Sequence, residues 1–146
     1  MTQQQQQNID LIKGAYADFG SGNIPALLDR MDDGVTWQTP APRDVVPFGG
    51  SRRGKAEVAG FFQALDQTLE FTKFEPQEFI ASEDGVVVAL GVYAAVVRAN
   101  GKAIPDEGFA MVFRVRNGKV AAFREYTDSL ALVAAVGAQP ANASHN

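Results

Sequence analysis

The chain has no cysteine, one histidine and one tryptophan in 146 residues. Without cysteine there is no disulfide, no thiolate nucleophile and no sulfur-ligated metal. The single histidine is His145, at the extreme C-terminus, so the body of the chain holds no imidazole. Positive charge is also short: 13 Lys and Arg against 17 Asp and Glu give a net charge of −4 and a pI near 4.9. Nucleic-acid affinity is built on clustered cations, and the nearest cluster, Arg52, Arg53 and Lys55, is too small to make one. Nucleic acid is therefore excluded as a partner. The longest apolar run, "GVVVALGVYAAVV" (85–97), falls short of the ~20 residues a spanning helix needs, and its valines suit a strand. The opening "MTQQQQQNIDL" has neither the basic start nor the apolar core of a signal peptide. A soluble, cytoplasmic protein with no membrane partner is expected.

What is present is ordinary globular material, 46% hydrophobic and 21% charged in 15.6 kDa. That length makes one domain, 1–146, able to bury roughly 70% of its unfolded surface. Its core is expected over about 9–136, with the N-terminal glutamine run and the polar tail "GAQPANASHN" flexible.

Ile9, Ile12, Tyr16 and Phe19 recur at helical spacing and predict a helix over 5–19, stopped by Gly20 and Gly22. Asn23 is a candidate N-cap and Pro25 suits a first turn, with Leu27, Leu28 and Met31 as the face of a short second helix. "DDG" then reads as a solvated turn and "VTWQT" (35–39) as a strand. Residues 40–53 hold three prolines and two glycines, a long loop of the kind that is a functional lid or disordered. Val58, Phe61, Phe62 and Leu65 mark a third helix over 54–68. Strands follow over 71–81, 85–98, 103–116 and 119–127, with Asn100-Gly101 and Asn117-Gly118 as hairpin turns. Asp128 caps a short last helix, "SLALVAAV". Helices segregated from a four-strand meander make an α+β domain.

The last hairpin poses the main question. Phe109, Met111, Phe113 and Val115 share one face of its first strand, while Arg114 and Arg116 share the other. If the Asn117-Gly118 turn carries a one-residue bulge, the first face continues through Ala121, Phe123, Glu125 and Thr127. A strict two-residue turn would instead set Glu125 beside Arg114. Separating the arginines from Phe and Met is the cheaper arrangement, so the bulged register is adopted. Glu125 is then an acid among aromatics, its pKa raised by desolvation and available for acid/base work. Pattern alone equally describes a strand-end glutamate that reaches water. "GGSRRG" lacks the Lys-Ser/Thr pair of a phosphate loop, and no further ligands surround Asp32-Asp33, so neither a phosphate nor a metal site is expected.

The words "VTWQTP", "VPFGGSRRGKAEVAGFF" and "FAMVFRVRNGKVAAFREYTD", in that order and with the meander between them, span about residues 9–136. Together they resemble the nuclear-transport-factor-two-like superfamily, and within it the SnoaL-like (polyketide cyclase) branch. Limonene-epoxide hydrolases and ketosteroid isomerases are relatives. The resemblance implies a cone, in which a curved antiparallel sheet wraps around three N-terminal helices to leave an internal pocket. It implies no cofactor. It also implies a homodimer through the outer sheet face, which the strand 85–98 supports independently, since Val86, Val88, Leu90 and Val92 give it a second apolar face.

The family's chemical groups are mostly replaced here. The isomerase base falls at Thr39 and the oxyanion-hole positions near Ala15 and Met111; many SnoaL-like relatives carry histidine where Met111 stands. The epoxide-hydrolase set corresponds to Trp37, Thr39, Gly91, Tyr93 and Glu125, of which only Glu125 keeps a carboxylate. Glu125 is accordingly the candidate acid/base. Trp37, Thr39, Tyr93, Phe109, Met111 and Phe123 are the candidate ligand-binding residues, with Tyr93 equally readable as packed core. Two functions follow: cofactor-free cyclisation, isomerisation or hydrolysis of a small apolar, oxygen-bearing molecule, or a binding or dimerisation module that has lost the chemistry.

Overall fold

The computed structural model describes residues 1–138. Of the tail expected to fray from Gly137, Gly137 caps the last helix and the Ala138 carbonyl accepts from the Asn100 amide at 2.9 Å; the rest, with His145, lies outside the described residues. Helix α1 runs Gln3–Gly20 and begins on a reciprocal cap, Thr2 accepting from the Gln5 main chain while the Gln5 amide accepts from Thr2 N. The glutamine run is thus the first turns of α1 rather than a flexible lead, and Gln5 also donates to the Ala81 carbonyl at 3.1 Å. Helix α2, Ile24–Asp29, is capped by Asn23, whose side chain accepts from Ala26 N at 3.2 Å. Strand β1 then begins at once, Met31–Thr39. Met31 and the Asp32-Asp33 pair therefore belong to the strand and not to a helix face or a turn. The expected loop is shortened by an edge strand β2, Gly50–Arg53, which leads directly into α3, Gly54–Thr68. The remaining strands are β3 (Leu69–Ala81), β4 (Val86–Val97), β5 (Ala103–Arg116) and β6 (Lys119–Thr127), followed by α4, Ser129–Val136, on its Asp128 cap.

The six strands form one curved, unclosed sheet in the order β2-β1-β6-β5-β4-β3. The meander is antiparallel as expected, but β1 lies parallel to β6, because the chain returns to β1's neighbour only after the whole meander. Curvature comes from register breaks that insert extra residues between Phe71 and Lys73, between Pro76 and Glu78, and within the β4–β5 pair beyond Tyr93. The concave face wraps α1 and α3. Val58, Phe61, Phe62 and Leu65 of α3 are all buried there, each contributing roughly 1.5–3 kcal/mol by removal from water.

The β5–β6 register differs from expectation in where its bulge lies. Asn117 and Gly118 have φ of 53° and 74°, a two-residue turn that pairs Arg116 with Lys119 and Val115 with Val120. The extra residue is Ala121, inside β6, since the next pair is Arg114 with Ala122. Val120, not Ala121, thus carries the inner face next to the turn. Beyond the bulge the expected alternation returns: Phe113 pairs with Phe123, Met111 with Glu125 and Phe109 with Thr127.

Candidate functional site

The concave face and the helices enclose a cavity of about 80 Å³, walled almost wholly by aromatic and aliphatic side chains. Each wall follows from a period. Phe61, Phe62 and Leu65 come from the inner stripe of α3, Tyr16 and Phe19 from α1, and Tyr93, Met111, Phe113, Phe123 and Glu125 from alternate strand positions. Trp37 pairs with Phe123 across the parallel β1–β6 ladder, and their rings stack at 3.9 Å and 19°.

Glu125 is the one carboxyl among the lining residues. By surface area the residue is only half-buried, but its carboxyl is surrounded by protein, and it lines the cavity. Burial alone pushes its pKa up from 4.5 to about 7, with no cation and no hydrogen-bond donor to hold it down. Two phenols share the chamber. Burial and then the neighbouring Glu125 charge raise both Tyr16 and Tyr93 well above the usual phenol range, so both remain neutral donors. Tyr16 donates to the Met111 sulfur at 3.0 Å, a weak acceptor. The chamber thus offers one acid that exchanges its proton near neutral pH, amid hydroxyls that cannot ionise.

Five of the seven expected site residues meet here: Glu125, Trp37, Tyr93, Met111 and Phe123. Thr39 does not. It is buried, but its hydroxyl donates to the Phe48 carbonyl at 2.7 Å and is used to hold a loop. Phe109 also stands behind the wall, stacked on Phe74 at 5.4 Å over the space that Gly91 leaves open. Residues read from the sequence only as helix faces, Tyr16 above all, also line the chamber; the signal was the α1 stripe, which does not say whether a buried ring meets packing or space. Phe48 and Leu132, from the loop and from α4, were missed altogether.

The segment 40–49 is not a free lid. Val46 and Phe48 are buried, and Arg52 donates to the carbonyls of Pro47, Phe48 and Gly49, each at 3.1 Å, with its guanidinium 5.5 Å over the Phe61 ring. Arg43 adds bonds to the Gly49 and Ser51 carbonyls. The loop is a fixed cover for one end of the cavity. At another side, Tyr16, Phe19, Phe62, Phe71 and Phe74, with Leu65 and Leu69, also line an open groove between the end of α1, α3 and β3, so one mostly aromatic layer separates the chamber from that groove. A chamber of about 80 Å³ is about half of the roughly 150 Å³ that holds benzene, so a larger ligand must extend past this aromatic layer. Among the described residues no group of three His, Asp or Glu side chains is placed to hold a metal, and no helix is long and apolar enough to cross a membrane.

N-terminal helices wrapped by a curved, unclosed sheet are the fold of the nuclear-transport-factor-two-like proteins. The SnoaL-like domain family matches residues 12–123, and the chain belongs to that family. Among solved structures it is similar to an NTF2-like protein from Burkholderia xenovorans LB400, at 29% identity and a TM-score of 0.81 over 90% of this chain and 97% of that one. An NTF2-like protein of unknown function from Burkholderia pseudomallei K96243 gives 25% identity and a TM-score of 0.81 over 90% and 98%. TerC, co-crystallised with polyporic acid, shares the fold at 24% identity and a TM-score of 0.77 over 90% and 99%. No curated protein matches the chain.

Proposed function

We propose that the protein binds a small, largely apolar, oxygen-bearing molecule in this cavity and that Glu125 moves a proton on it, in a cofactor-free cyclisation, isomerisation or hydrolysis. One observation carries the reading: a lone carboxyl, pushed up to about 7 by burial, faces a cavity walled by aromatic rings. An acid poised there gives and takes a proton with equal ease near neutral pH, which is the condition general acid/base catalysis favours. The fold has precedent for holding an organic ligand, since TerC was crystallised with polyporic acid.

A second reading, binding without turnover, is favoured by what the wall lacks. Glu125 has no second carboxylate, arginine or histidine among the lining residues to share the chemistry. A panel of aryl and alicyclic ketones, enols and epoxides, incubated with the wild type and with Glu125→Gln, separates the two. Turnover that disappears in Glu125→Gln while binding survives supports catalysis; ligands held unchanged by both proteins support binding alone.

The homodimer is part of the same proposal. Val86, Val88, Leu90 and Val92 turn outward from β4 and are only half-buried, with Ala110 and Val112 beside them on β5. A second copy on this face would cover them.

A further inference from the structure

Trp37 is the chain's one tryptophan, and its indole Nε1 is a buried donor with no hydrogen-bond partner. Stacking alone does not explain the choice of an indole. A phenylalanine would also stack on Phe123 beside Phe61 and Phe62, filling less of the space but burying no unpaired N–H. Such an orphan in a native chain calls for a partner that the ligand-free protein lacks.

Its position says which partner. Trp37 is opposite Phe123 and Gln38 opposite Arg124, so Glu125 follows Trp37 on the inner face of the neighbouring strand, one step further along the cavity. The polar groups on its wall are the Trp37 indole, which can only donate, and the Tyr16, Tyr93 and Thr127 hydroxyls and the Glu125 carboxyl, each of which can donate or accept. Tyr16 is already reduced to donating to a thioether. The indole N–H can only donate and has no partner, so it selects a ligand atom that accepts, and the aromatic walls select a flat, unsaturated ligand.

We infer that Trp37 is the specificity-determining residue of this cavity, its indole N–H donating to the carbonyl oxygen of a planar aryl ketone or quinone. The inference rests on the ligand-binding reading above and names the chemical class it takes. The indole ring is held by its stack on Phe123, so little of its freedom is left to lose when a ligand arrives. The nitrogen is enclosed in the ligand-free chamber, and the Phe61 or Phe62 ring, each 5.5 Å from the indole, shifts to admit the oxygen.

The sole tryptophan gives the test a direct readout, because the full-length ¹⁵N-labelled protein has a single indole N–H resonance. Acetophenone and ethylbenzene differ by the carbonyl and little else. Acetophenone should bind and move the indole proton downfield, whereas ethylbenzene should bind without that shift. Trp37→Phe should weaken acetophenone on the order of tenfold and leave ethylbenzene within about twofold. Incorporation of 3-benzothienylalanine at position 37, which replaces the N–H by sulfur and keeps the bicyclic ring, should discriminate in the same way even if the smaller phenyl ring loosens the core. Equal indole shifts with both compounds, or an equal loss of both in the two variants, would overturn the role of Trp37 and leave the ligand-binding reading standing. No binding of either compound would overturn that reading and this inference with it.

Discussion

Met111 of β5 stands directly opposite Glu125 of β6, and both side chains enter the same cavity. The pairing depends on one extra residue. Without the bulge at Ala121, every side chain from Ala122 onward would change face, and Glu125 would join the arginines outside. The site therefore exists because of a backbone irregularity some four residues away from the acid.

Glu125 makes the protein's stability fall as pH rises. Below about pH 4.5 the carboxyl is neutral in both the folded and the unfolded chain and costs nothing. Between that value and about 7 only the unfolded chain gives up its proton, so unfolding gains ground; above about 7 the penalty is constant. Its full size is on the order of 3 kcal/mol. Urea unfolding at pH 5 and pH 8 should show that decline in the wild type and a much smaller one in Glu125→Gln. An equal decline in both proteins would assign it to other groups.

Arg52 holds the cover of the cavity. Arg52→Ala removes the donors to three carbonyls, those of Pro47, Phe48 and Gly49, and should cost about 2–3 kcal/mol. Arg52→Lys should recover only part of this, since one ammonium cannot match the planar fork. Hydrogen exchange at Val46 and Gly49, whose amides donate within the loop, should quicken by more than global unfolding explains.

The outer sheet face should hold two copies together. Sedimentation at micromolar concentration should give a species of twice 15.6 kDa for the wild type, and a monomer for Leu90→Lys, which sets a charge in the middle of the apolar strip. A wild-type monomer at that concentration would refute the dimer.

Much of this was legible in the sequence because periodicity and turn chemistry act locally. The stripe of α3, the Asn-Gly turns, the Asn23 and Asp128 caps and the membership of Glu125 and Met111 in one face all follow from residues a few positions apart. What was not legible depends on distant partners. The glutamine run gave no apolar signal, and its helix is fixed by the Thr2 cap and the contact of Gln5 with Ala81. Strand β2 exists because β1 is there to pair with it, and the parallel β1–β6 pairing joins segments some 85 residues apart. Thr39 and Phe109 were assigned to the wall from alternation and resemblance, which fix a face but not whether it meets open space; a loop carbonyl and the Phe74 ring take those positions. The bulge was expected at the turn, where glycine allows it, and lies instead at Ala121, which carries no such mark.

The central claim is that the Glu125 carboxyl faces an apolar cavity, and titration of its side-chain carboxyl carbon by NMR tests it most directly. The account predicts a midpoint near 7, displaced upward by burial. A midpoint at or below 4.5 would place the carboxyl in water or beside an arginine, and the cavity would then hold no acid with which to move a proton.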